Sequence, residues 1–136
     1  MTRNPVGIPA LAVLVLLTVT PLVAHHGSAS FDTSKKVTLK GTVTEWIWAN
    51  PHCFLKIDAM DDTGGVRTWA LETQNPTAMT QRGWSRSGFK VGDQVTVVLE
   101  AVKNGAPIGR ILTATLPDGS TLSAGNLPNT PPAGGQ

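Results

Sequence analysis

Apolar residues recur at every second position along most of this chain, in short runs separated by turn residues, and that period decides what it can fold into. Val37, Leu39, Gly41 and Val43 alternate with Thr38, Lys40, Thr42 and Thr44. Cys53, Leu55, Ile57 and Ala59 alternate with His52, Phe54, Lys56 and Asp58. Side chains two apart share one face of a strand, so each run reads as a strand with one buried side. The same period predicts strands at 66–73, burying Trp69 and Leu71, at 94–102, burying Val95, Val97, Leu99 and Ala101, and at 109–116. Asn50-Pro51, Asp61-Asp62-Thr63-Gly64-Gly65 and Asn104-Gly105 supply turn chemistry between the runs.

The first run contains one fault. Beyond Thr44 the phase inverts, so that Trp46 and Trp48 fall on the polar side and Glu45 on the apolar side. A bulge or sharp bend near Thr44 explains the switch. Between the third and fourth strands, Asn75 can cap a short helix, Pro76 suits its first position and Gly83 can end it. Thr121–Leu122 is a short apolar stretch after the last turn. Three strands, a helix and two strands predict a mainly β fold, a small OB-like five-stranded barrel with one short helix between strands 3 and 4. A β-sandwich needs more strands than this.

Residues 1–24 have the layout of an export signal: Arg3, a mostly apolar stretch from Ile8 to Val23, and Ala24 at the expected cut. The apolar run from Leu11 to Val19 is far shorter than the roughly twenty residues that span a bilayer. Cleavage with no lasting membrane anchor is expected. Removing 24 of the 136 residues leaves 112, enough for one domain. The expected division is a signal peptide at 1–24, an arm at 25–36, the barrel at 37–124 and a disordered tail at 125–136, rich in Pro, Gly, Asn and Thr. Cys53 is the only cysteine, so no internal disulfide forms, and its phase with Leu55 and Ile57 predicts a buried, inert thiol. Without Arg3, ten Lys and Arg face nine Asp and Glu, which argues against a nucleic-acid partner.

Several motifs combine into a resemblance: His25-His26-Gly27, Val37-Thr38-Leu39-Lys40-Gly41-Thr42-Val43, Asn50-Pro51-His52, Gly83-Trp84, Gly92-Asp93-Gln94-Val95-Thr96-Val97 and Leu116-Pro117-Asp118-Gly119. Together they resemble a family of small exported bacterial proteins known only as a domain of unknown function, over about His25 to Leu122. The resemblance implies a periplasmic location in a Gram-negative-type bacterium. It implies no activity, substrate or cofactor. Family members usually carry serine after the paired histidines, where this chain has Gly27.

Three histidines are the candidate metal ligands: His25, His26 and His52. Cleavage after Ala24 makes His25 the mature terminus, with an amine and an imidazole on one residue. With a further imidazole from His52, or from His26, this makes a three-nitrogen set suited to copper as Cu(II), and less specifically to Zn(II) or Ni(II). The plain alternative is that paired histidines merely follow the cleavage site. A second candidate constellation is Trp46, Trp48 and Trp84, which as exposed rings would stack on an envelope glycan or protein without any metal, and which as core bulk would bind nothing. Ser28, His52 and Asp58 or Glu72 hold the atoms of a hydrolytic triad, but no nucleophile elbow accompanies them. The chain therefore reads as a binding module, with no sequence signal for an enzyme.

Overall fold

A computed structural model of the protein describes residues 30–125. The proposed signal segment, His25, His26 and the tail beyond Gly125 lie outside the described residues. The elements are β1 (Val37–Ile47), β2 (Phe54–Met60), β3 (Val66–Glu72), α1 (Pro76–Thr80), β4 (Gln94–Ala101), β5 (Ile108–Thr115) and β6 (Thr121–Ser123). They form one sheet in the order β3-β2-β1-β4-β5-β6, and a parallel β3–β5 pairing closes the first five strands into a barrel. The fold expected from the alternation, five strands with a short helix between the third and fourth, is the fold observed. The stretch at Thr121–Leu122 is part of a sixth strand, which pairs with the far end of β5.

The long β1 shows why closure works. Its first half pairs with β4, from Val37 opposite Leu99 to Thr42 opposite Gln94. Its second half pairs with β2, from Gly41 opposite Ala59 to Ile47 opposite Phe54. One strand therefore serves both sides of the barrel and must coil between them. The register slips between Val43 and Glu45, so Thr44 is the extra residue of a bulge, where the alternation broke. Gly41 sits where β1 and β2 first meet. A Cβ there would lie 2.6 Å from the main-chain oxygen of Asp58, closer than any real Cβ contact.

The inward faces fill the barrel. Leu55, Ile57, Leu71, Val97, Leu99 and Ile111 are all buried. The helix caps one end as its residues direct: Asn75 Oδ1 accepts the Ala78 N–H at 3.0 Å, Pro76 opens the first turn, and Met79 is buried. The helical turn ends at Thr80, and Gly83 takes a positive φ of 84° as the chain turns toward Trp84.

The end of the expected arm is folded onto the barrel. Phe31 bridges to Val102, the Asp32 N–H donates to Ala101 O at 2.8 Å, and the Lys103 N–H donates to Ser30 O at 3.0 Å. Phe31 is buried, although no periodic run contains it.

Candidate functional site

His52 stands at the entry to β2, where the chain locks against the end of β3. The Cys53 N–H donates to Gln74 O at 3.0 Å and the Thr73 N–H donates to Cys53 O at 2.9 Å. That ladder fixes the phase. Cys53 points inward, fully buried, its Sγ 3.9 Å from Ala49 O. His52 points outward with its side chain 39% exposed. The expected division between a buried thiol and an outward imidazole is the observed one.

The imidazole is held on one nitrogen. His52 Nδ1 lies 2.9 Å from Thr73 O and 3.0 Å from Glu72 Oε1. A carbonyl accepts and does not donate, so this contact requires the hydrogen on Nδ1. In the neutral ring the lone pair is then on Nε2, free to accept a proton, a hydrogen bond or a cation. Glu72 is mostly desolvated, its side chain 18% exposed. Of the two carboxylates considered beside His52, Glu72 meets it. Asp58 instead accepts a 2.6 Å hydrogen bond from the Thr68 hydroxyl.

Glu72 faces the outside of the barrel and is register partner of Arg110 on β5. The Arg110 Nε and Nη2 both donate to Glu100 Oε2, a carboxylate on β4 that is itself buried. Phe31 covers the pair, its ring centroid 5.1 Å from the guanidinium carbon. The outer wall thus carries a band from Phe31 through Glu100, Arg110 and Glu72 to His52. Sequence reading missed all but its last two members. The available signal was an aromatic residue alone in the polar stretch Ser30 to Lys36.

Two of the proposed metal ligands, His25 and His26, fall outside the described residues. Among those described, no group of three His, Cys, Asp or Glu side chains could hold a metal ion. Within that part of the chain, His52 is one imidazole beside one carboxylate, Glu72.

The tryptophan constellation requires a correction. Trp84 is buried at 2% exposure, and its Nε1 donates to Ser123 O at 2.9 Å. It is core and presents no stacking face. Trp46 is half-buried because the bulge at Thr44 returns it to the inner phase, opposite Leu55, while Glu45 turns out to pair with Lys56 at 2.6 Å. Trp46 packs against Trp48, Trp84 and Phe89 with ring centroids 5.1 to 5.9 Å away, and its Nε1 donates to Ser85 O at 3.0 Å. Trp48 is half-buried against the same cluster. These rings fill one end of the barrel. A recess of about 320 Å³ among Lys40, Gln94, Thr96, Thr115, Leu116 and Pro117 lies on the β1–β4–β5 wall and contains no histidine and no aromatic ring.

Fold and site together define a small closed β-barrel that carries a histidine–carboxylate pair on its outer wall. The chain belongs to a family of unknown function (DUF6152), whose model matches residues 13–111, from before the first described residue into β5. No curated protein and no solved structure matches it. Among the described residues, no helix is long and apolar enough to cross a membrane.

Proposed function

We propose that the protein is an exported, periplasmic binding module that holds a transition-metal ion, with Cu(II) the best-suited ion, on an OB-like barrel. The observation that carries this reading is the fixed imidazole of His52. Histidines that bind metals are typically anchored through the other ring nitrogen by a carbonyl or carboxylate, which sets the tautomer and orients the lone pair. Thr73 O and Glu72 supply that anchor here. The remaining donors are the amine and imidazole of His25 at the mature terminus, with His26 as the alternative imidazole. An all-nitrogen set of this kind suits Cu(II).

Envelope glycan or protein binding through Trp46, Trp48 and Trp84 is the weaker reading, because Trp84 is buried and Trp46 is tied to Ser85 O.

Cu(II) titration with electron paramagnetic resonance tests the proposal on protein purified with His25 as its first residue. One equivalent bound with three nitrogens in the equatorial plane is expected. Adding one residue before His25 removes the amine, and His52→Ala removes the third nitrogen; each should weaken binding at least tenfold. Equal affinity for native, extended and His52→Ala proteins would sink the proposal, as would mass spectrometry placing another residue ahead of His25 in the exported protein.

A further inference from the structure

We propose that the recess on the β1–β4–β5 wall is a binding site for an acidic sugar, a pyranose ring carrying one carboxylate, independent of any metal ion. The recess follows from where β5 stops. The register of β4 with β5 begins at Thr96 opposite Thr115, and beyond Thr115 the chain turns back into β6, so Gln94 and Val95 extend past the end of β5. The gap beside them is the recess, whose volume of about 320 Å³ falls at the small end of the range for small-ligand sites. Its far rim is firm. The Leu116 N–H donates to Ser120 O at 2.8 Å, and Asp118 Oδ1 accepts from the Ser120 N–H at 2.8 Å and hydroxyl at 2.6 Å. Asp118 itself does not line the recess.

The lining holds polar groups that the fold leaves unused. Thr115, Thr96 and Lys40 are successive register partners across β5, β4 and β1, so their side chains leave one face in a single row. Neighbouring strands lie about 4.8 Å apart, which places two hydroxyls and an ammonium in line over about 10 Å. Thr115 is held by the Thr121 hydroxyl at 3.0 Å. Among the described residues Lys40 makes no ion pair, and neither its ammonium nor the Thr96 hydroxyl makes a hydrogen bond. Gln94 Nε2 donates to Thr42 Oγ1 at 2.8 Å, which leaves Oε1 to accept from a ligand. Leu116 and Pro117 add an apolar rim. A lone cation calls for one anionic group, the unused hydroxyl and amide call for hydroxyls beside it, and the rim calls for a C–H face. A pyranose with one carboxylate has all three. Lys40 takes the carboxylate in a charge-assisted hydrogen bond, Thr96 and Gln94 take ring hydroxyls, and Leu116 and Pro117 meet the C–H face. A nucleotide fits poorly, because its phosphates outnumber the cation and its base has no ring to stack on.

Titrations of metal-free protein, followed by amide chemical shifts, test the site with four probes: galacturonate, its linear trimer, neutral galactose and acetate. Galacturonate should move the signals of Lys40, Gln94, Thr96 and Leu116, and galactose and acetate should each bind about tenfold more weakly. Lys40→Gln should weaken galacturonate about tenfold, as for one charge-assisted hydrogen bond, and Thr96→Val about threefold. Lys103→Gln, which removes an exposed charge on the β4–β5 turn, should leave the affinity unchanged. Unaltered signals elsewhere in each variant separate loss of binding from loss of fold. Tighter binding of the trimer than of the monomer makes the natural source an acidic polysaccharide; equal binding makes it a free sugar acid. The site is overturned if neither acidic sugar shifts these signals, if acetate or galactose binds as well as galacturonate, or if Lys40→Gln weakens binding no more than Lys103→Gln does.

Discussion

At the scale of single residues, side chains of similar apolar character have very different costs of removal, and their environments say which. Trp84 is walled in by Trp46 and Phe89 with its indole N–H satisfied by Ser123 O. Trp84→Ala should lose about 3–5 kcal/mol, the range for deleting a buried aromatic, as a lower urea midpoint with an unchanged slope. Gly41→Ala adds one methyl group yet drives it against the Asp58 carbonyl, part of the β1–β2 ladder that cannot move cheaply. It should cost about 1–3 kcal/mol in the same experiment. His52 makes a spectroscopic claim. Nitrogen-15 spectra of the neutral imidazole should place the proton on Nδ1, in the wild type and in Glu72→Gln, because Thr73 O accepts in both. A proton on Nε2 would remove the support for a metal-facing lone pair. Of these residues, the inward thiol of Cys53 was legible from phase alone. The burial of Trp84 was not, because it lies in the aperiodic stretch between β3 and β4, where no alternation reports facing.

The elements show how far a local pattern can carry. The bulge in β1 is legible because one inserted residue flips every later side chain. Its outcome for Trp46 is not, since facing also depends on the partner strand, and the register that sets Glu45 beside Lys56 is a non-local fact. Deleting Thr44 tests the point. It should remove the bulge yet keep Glu45 beside Lys56 and Trp46 opposite Leu55, and lower the melting temperature because β1 loses the local coil that lets it pair with both β2 and β4, whereas Thr44→Ala should be nearly neutral. The loops make a second, pH-dependent claim. Asp61 in the β2–β3 hairpin accepts hydrogen bonds from the Thr63 hydroxyl at 2.6 Å and from the Gly65 and Thr63 main-chain N–H groups at 2.9 Å each. The Thr63 hydroxyl first, and then these N–H groups, hold its carboxyl below the ordinary aspartate value. Asp32 and Asp118 are lowered in the same way, each chiefly by the hydroxyl of the serine two residues on. A carboxyl depressed in the folded state stabilises fully above its unfolded value of about 3.9, and that contribution fades as pH falls through the lower folded value. Melting temperature should therefore drop as pH is taken below about 4, and Asp61→Ala should flatten part of that slope. Turn composition announced these loops, although only the structure gives the oxygen that each donor reaches.

At the scale of the whole molecule, closure depends on an edge of β5 that two strands divide. Ile108, Gly109 and Arg110 pair with β3, and Thr113, Ala114 and Thr115 pair with β6. The three register pairs to β3 make a short seam for a barrel, and β6 extends it. Ser123 O receives the Trp84 indole, the Ala124 N–H returns to Leu112 O, and Leu122 packs on the core. In sequence, β6 was no more than two apolar residues after a turn, because a three-residue strand is too short to show a period. Its contribution is to join the end of β5 to the aromatic cluster at one end of the barrel. A chain truncated after Pro117 should therefore fold to a barrel whose seam opens locally. Hydrogen exchange at Leu112 and Ala114 should accelerate by orders of magnitude, and the tryptophan emission should shift to the red as Trp84 meets water, while amides of the β1–β2 ladder exchange at close to their original rates. Uniform acceleration across both ladders would mean that the barrel opens as one unit, with β6 no more than an appendage to it.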